Sequence, residues 1–274
     1  MNLSLSVRIA EGFLSKEEAI LSLREVAALA NSTGYEAICM RASQIGVQSP
    51  EPHVKEAVRI LREQELPVSM LTGDFDTVYN NERGPASLRR IEPYLDLAEK
   101  LGAPLIRVAL KESGDIAWAR RAADKAKDRN IGLAHQCHSL SLFETIDGIE
   151  QTLRAINRDN FGLIYEPANL EICGQTYGPE SVERLAPWIF NVYFQNQRLI
   201  ETGAITLNTW CRGPVRFDLL PIHKVGGIDF ESVFEGLRRI NYDRTITVHQ
   251  SAMEGESPHD SARLTAAFLK ERMG

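Results

Sequence analysis

Eight times along the chain a short β-rich run is followed by a longer amphipathic stretch, and this alternation limits the fold more than any other feature. The runs are 3–10 (LSLSVRIA), 36–41 (EAICMR), 67–72 (PVSMLT), 104–110 (PLIRVAL), 131–137 (IGLAHQC), 161–166 (FGLIYE), 189–195 (IFNVYFQ) and 245–250 (TITVHQ). The stretches between them begin near Lys16, Pro52, Ala86, Asp115, Leu142, Glu180 and Phe230, and a last one runs from about His259 to Lys270. Strands that alternate with helices predict a parallel sheet, and eight uninterrupted units predict its closure into a single α/β domain, a (β/α)8 TIM barrel. An open doubly wound sheet would place a Gly-rich turn after its first strand. Here the first run leads into Ala10-Glu11-Gly12, with no G-x-G-x-x-G, which favours the barrel.

The helical assignments rest on period. Ile20, Leu23, Ala27 and Ala30 recur at helical spacing, with Leu29 on the flank. Ile91, Leu95, Ala98 and Leu101 do the same, and Gly102 is placed to end that helix as a C-cap. Asp229 is an expected N-cap, and Ser257-Pro258 suits the start of the last helix. The segment 196–228 is too long for an ordinary βα connection and is expected to be a functional loop on the barrel's C-terminal face.

At 274 residues the chain buries enough surface to need no disulfide or metal for its core. Its four cysteines lack C-x-x-C spacing, and its start lacks the pattern of a signal peptide, so free thiols and a cytoplasmic location are expected. A net charge of −6 argues against a nucleic-acid surface, and no apolar run is long enough for a membrane span. The oligomeric state is left open, a homo-oligomer included.

In such a barrel the chemistry lies where the strands end. Polar residues end strands 2 (Arg41), 5 (His135-Gln136-Cys137-His138), 6 (Glu166-Pro167-Ala168-Asn169), 7 (Tyr193 through Arg198) and 8 (His249-Gln250). Strand alternation puts Gln136 and His138 on one face and His135 and Cys137 on the other. His135 reads as a hydrogen-bonded core histidine. Glu166, standing before a proline, is either a site residue or a cap for the next segment.

Three stretches carry a resemblance: RIEPYLDLAEKLGAPLIRV, FGLIYEPANL and GGIDFESVFEGLRRINYDRTITVHQ. They resemble the xylose-isomerase-like TIM barrels, which include sugar phosphate isomerases and epimerases and, more distantly, metal-dependent apurinic endonucleases. The resemblance implies one divalent ion (Mn²⁺, Mg²⁺, Co²⁺ or Zn²⁺) held by a Glu, Asp, His, Glu quartet from strands 5 to 8. Carried onto this chain, the quartet falls on Gln136, Glu166, Tyr193 and His249, with the family's strand-5 His kept as His138. Three carboxylates thereby become one. Gln136 offers a neutral carbonyl and Tyr193 a phenol, both poor partners for a hard cation. If a metal binds, Glu166 and His249 are its ligands.

The resemblance also implies proton transfer beside a carbonyl through an enediolate. Gln136 cannot exchange a proton, so the duty falls on His249 and Glu166, with His249 suited to base work near neutral pH. His138, Arg198 and Lys224 could supply positive charge, and Gln136, Asn169, Tyr193 and Gln195 could orient a bound sugar or sugar phosphate. The expected activity is thus that of a carbohydrate isomerase, epimerase or related lyase. The alternative is a barrel that has lost catalysis and binds a sugar-like ligand or a partner subunit. An endonuclease is disfavoured, because these strand ends lack the many ligands that several zinc ions need.

Overall fold

The computed structural model describes residues 1–12 and 14–273. Eight parallel strands close into a barrel: β1 (Asn2–Ser6), β2 (Ala37–Arg41), β3 (Val68–Thr72), β4 (Leu105–Val108), β5 (Gly132–Gln136), β6 (Phe161–Tyr165), β7 (Ile189–Phe194) and, after three strands described below, β11 (Thr245–Val248). Closure is made by β1, which pairs with β2 (Ser4 opposite Ala37) and with β11 (Leu5 opposite Val248). Period-two alternation sorts each strand. On β4, Ile106 and Val108 face the helices, and Leu105 joins Cys39, Met70, Ala134, Ile164 and Tyr193 in a cluster that fills the barrel interior.

Helices cover the outside. The principal ones are α1 (Leu23–Thr33), α2 (Glu51–Glu63), α5 (Glu92–Leu101), α6 (Asp115–Lys127), α7 (Ile146–Ile156), α9 (Pro179–Leu185), α10 (Phe230–Arg239) and α11 (Pro258–Met273). Three short ones, α3 (Phe75–Tyr79), α4 (Ala86–Arg89) and α8 (Pro167–Ile172), follow strand ends or fill connections. Gly102 ends α5 at φ 66°, a left-handed conformation that glycine adopts without strain. Asp229 caps α10 by accepting from Ser232 N, and Ser257 Oγ accepts from Asp260 N at the start of α11.

The first helix starts later than its apolar period suggests. Ser22 and Glu25 form a reciprocal capping box that fixes the start at Leu23, and Ile20 is left 60% exposed. The chain around Lys16 is therefore not helical and passes over the mouth of the barrel. The segment after β7 is not a plain loop either. It folds into an antiparallel sheet of β8 (Asn196–Leu199), β9 (Ile205–Thr209) and β10 (Gly213–Leu220), in the order β8-β10-β9. The alternation in β10 buries Val215 and Phe217 against Ile172 of α8, with Leu199, Ile205, Leu207 and Leu219 packed around them. This sheet roofs the C-terminal face of the barrel.

Candidate functional site

One step of two residues beyond the interior cluster lies the next inward layer. Cys39 leads to Arg41, Leu105 to Arg107, Ala134 to Gln136, Ile164 to Glu166 and Tyr193 to Gln195. With Arg8 after β1 and His249 after β11, and with Glu166 buried beneath them, Arg41, Arg107, Gln136 and Gln195 form the floor and walls of a pocket of about 160 Å³. That is close to the roughly 150 Å³ that admits a six-membered ring. Leu14 and Lys16 border the mouth, and Ile205, Leu207, Phe217 and Leu219 of the roof close it from above.

Glu166 is fully buried at the floor. It occupies the N-cap position of α8 but makes no capping bond with its side chain. The extended backbone that Pro167 imposes turns its carboxylate inward, where Gln136 Nε2, Gln195 Nε2 and Asn169 Nδ2 (2.6 Å) all donate to it. Burial pushes its pKa up, opposed by the Gln136 and Gln195 amides and by Arg107 and Arg8. Gln195 Oε1 accepts from Arg8 Nη1 (3.0 Å), and the same nitrogen reaches the His249 carbonyl (3.2 Å), so one hydrogen-bonded chain links the strand-6 and strand-8 ends.

The imidazole of His249 is set by two neighbours. Arg41 Nη1 lies 3.1 Å from Nε2, and because a guanidinium only donates, Nε2 accepts and the ring is neutral. Tyr193 stacks on the other side with ring centroids 3.9 Å apart and planes 12° apart. Burial, then Arg41, Arg8 and Arg107, hold the His249 pKa well below its ordinary value. Arg41 itself is clamped by Glu11, with Nε to Oε1 at 2.9 Å and Nη2 to Oε2 at 3.1 Å.

Gln136, His138, Asn169, Gln195 and His249 thus line one pocket, with Glu166 beneath them. Tyr193 sits one layer lower, its hydroxyl 3.4 Å from Cys39 Sγ, so Gln195 is the strand-7 residue at the level of Glu166. Arg198 and Lys224 are not brought to the site. Arg198 is exposed on β8 and Lys224 is exposed beyond β10, because the intervening residues are drawn into the roof sheet. His135 is a core residue, packed on Phe143 with Nδ1 donating to Val108 O (2.9 Å), and burial lowers its pKa to about 3. Arg8, Lys16, Arg41 and Arg107 line the pocket as well. Arg41 and Arg107 had a signal in the sequence, since each stands two residues past an interior apolar residue.

The donor set does not fit the divalent ion that the family resemblance implies. Both oxygens of Glu166 accept amide N–H groups, and His249 Nε2 is committed to Arg41. Three arginines surround the place where a cation would sit, and among the described residues no second carboxylate faces it other than Glu11, which is bound to Arg41. Among the described residues, Glu144, Cys173 and Cys211 have metal-ligand spacing, but Glu144 already accepts N–H bonds from Leu140, Trp210 and Cys211 and lies outside the pocket.

Residues 27–272 match the sequence profile of the xylose isomerase-like TIM barrel. No curated protein matches the chain in sequence. Among solved structures, D-allulose 3-epimerase from Methylomonas sp. in complex with D-allulose is 18% identical with a TM-score of 0.72, over 99% of this chain and 97% of that one. The probable 3-DHS dehydratase AsbF of petrobactin synthesis from Bacillus anthracis is 15% identical with a TM-score of 0.71, over 98% and 99%. A xylose isomerase-like TIM barrel protein from Mycobacterium smegmatis in complex with magnesium is 12% identical with a TM-score of 0.70, over 100% and 98%.

Proposed function

Because the chain belongs to the xylose isomerase-like TIM barrel family, we propose that it moves a proton at the carbon beside a carbonyl in a small hydroxylated substrate, without a metal. The substrate class is a sugar or keto-sugar, with or without phosphate, and the activity is that of an isomerase, epimerase or related lyase. The observation that carries this reading is the buried Glu166, ringed by amides in the same layer as the His249 imidazole. An epimerase and a probable dehydratase among the solved structures of this fold are consistent with it.

Each polar group has a task that its geometry suits. Gln136 and Gln195, anchored by Glu166, present amides that orient hydroxyl groups. His249 Nε2 carries a lone pair on the pocket wall. It becomes available as a base when a ligand draws Arg41 away from it. Glu166, with its pKa raised by burial, is the second proton-transfer group. Arg8, Arg41 and Arg107 stabilise the negative charge of the enediolate, the work that a metal would otherwise do.

The test is exchange of the substrate's α-carbon proton in D2O, followed by NMR across ketoses, aldoses and their phosphates, with and without chelator. Exchange that persists in chelator supports the assignment. Failure of every compound to exchange, with ligand binding intact, favours a barrel that binds a sugar-like ligand without turnover. One observation favours that alternative: Arg41 Nη1 donates to the base lone pair of His249.

A further inference from the structure

Arg107 is buried within the barrel and makes no hydrogen bond or ion pair among the described residues, and its Nε is buried without a partner. Its nearest side chains do not neutralise it. Burial pushes the Tyr193 phenol and the Cys39 thiol up, so both are uncharged at neutral pH. Glu166 is the carboxylate nearby, and its oxygens are taken by three amides. A guanidinium removed from water without a counter-charge is strongly unfavourable, and a fold retains one where a ligand supplies the charge. Arg107 lines the pocket beside Arg8, Arg41 and Lys16. Against the three arginines stand Glu11 and Glu166, which leaves one positive charge in excess before Lys16 is counted, in a chain whose net charge is −6.

We propose that the cleft between Arg8, Arg41 and Arg107 is an anion-binding site, and that the molecule this protein takes carries a phosphate or carboxylate group. The site that repels a divalent cation is suited to hold an anion directly. Planar guanidinium forks match the oxygen spacing of both groups. Lys16, half-buried at the mouth, has its pKa lowered to about 7 by burial and by Arg8, Arg41 and Arg107, the behaviour of an amine in a field that lacks an anion. The proposal rests on this pocket being the ligand site and does not require proton transfer there.

Thermal unfolding and calorimetric titration test it, with inorganic phosphate, malonate and uncharged D-fructose as probes at constant ionic strength. At least one of the two anions should raise the midpoint in a dose-dependent way, while D-fructose at the same concentration does not. Which anion binds decides between phosphate and carboxylate. Arg107→Met should weaken that binding roughly tenfold or more, the loss expected for a hydrogen bond to a charged group. Its unliganded midpoint should equal or exceed that of the parent, because an uncompensated buried charge has gone. If Arg107→Met fails to fold, Arg107→Lys reads the loss of the fork with the charge retained. Two silent anions, or a response unchanged in the Arg107 variants, would overturn the proposal. Anion binding without proton exchange on any substrate would leave it standing and defeat the catalytic reading alone.

Discussion

Arg41→Met puts the electrostatics of the site to a quantitative test. Arg41 and Glu11 are 1% and 0% exposed at their side chains and share two short contacts. Removing the arginine strands a carboxylate away from water, a change that costs about 3–5 kcal/mol when a buried pair is broken. Ser43 Oγ still donates to Glu11 at 2.7 Å, which places the loss at the lower end, about 3 kcal/mol. For a domain of this size that corresponds to roughly 9 °C in Tm. Circular dichroism on heating measures it, and the double variant Glu11→Gln/Arg41→Met should recover most of the loss because no charge is left unpaired. A second readout is His249, whose pKa is held down by burial first and by Arg41 next. NMR titration of its ring should show the pKa moving up toward the ordinary value in Arg41→Met. A Tm shift below about 3 °C, or a double variant less stable than either single one, would refute the pairing.

His249→Ala and Glu166→Gln should each lower proton exchange by roughly 10²–10⁴-fold with the fold intact, whereas Tyr193→Phe, which removes only a hydroxyl below the site, should lose less; steady-state rates with circular dichroism as a folding control decide it. Chelator should leave the rate unchanged and Mn²⁺ should not raise it, and activation by Mn²⁺ would recast Glu166 and His249 as ligands. Lys16 should leave a signature in the pH dependence of stability. With its folded pKa lowered to about 7, the unfolded chain binds more protons between that pH and the ordinary lysine value of 10.5, so stability gains a rising component across the window, while below about 7 both states are protonated and the component is flat. Lys16→Met should remove that slope, read as the difference in Tm between the two proteins from pH 6 to pH 10.

The barrel could be read from the sequence because its eight strands are short apolar runs with period two, each followed by a helical period. What could not be read came from two sources. Local hydrogen bonding overrode the apolar period at the first helix, where Ser22 and Glu25 set the start at Leu23, seven residues beyond Lys16. In the segment after β7, polar residues such as Asn196, Gln197 and Arg198 hide strands whose pairing is specified only by the antiparallel neighbours. The site divided along the same line. Gln136, Glu166 and His249 announced themselves by polarity at strand ends. Arg107 lies inside a run dominated by apolar residues, and Tyr193 sits one layer below Gln195, the strand-7 residue that reaches the pocket. Alternation from a single interior residue, Ile164 to Glu166, gives the level of the site, and the same step applied to β4 and β7 reaches Arg107 and Gln195.

The roof and the floor of the pocket come from separate parts of the chain. The floor belongs to the ends of the barrel strands, one layer above the side chains that fill the interior. The roof is one insertion, β8 to β10, joined to the barrel through its packing on Ile172, through the Trp210 and Cys211 N–H groups that Glu144 accepts, and through bonds such as Gln197 Nε2 to Ala168 O and Gln250 Nε2 to Leu220 O. Substitutions at Ile205, Leu207 or Leu219 therefore alter which ligand shapes are admitted without touching the arginines or Glu166. On the proposed function, selectivity and chemistry would be free to diverge independently, and an engineer seeking a new substrate would exchange the insertion and keep the barrel.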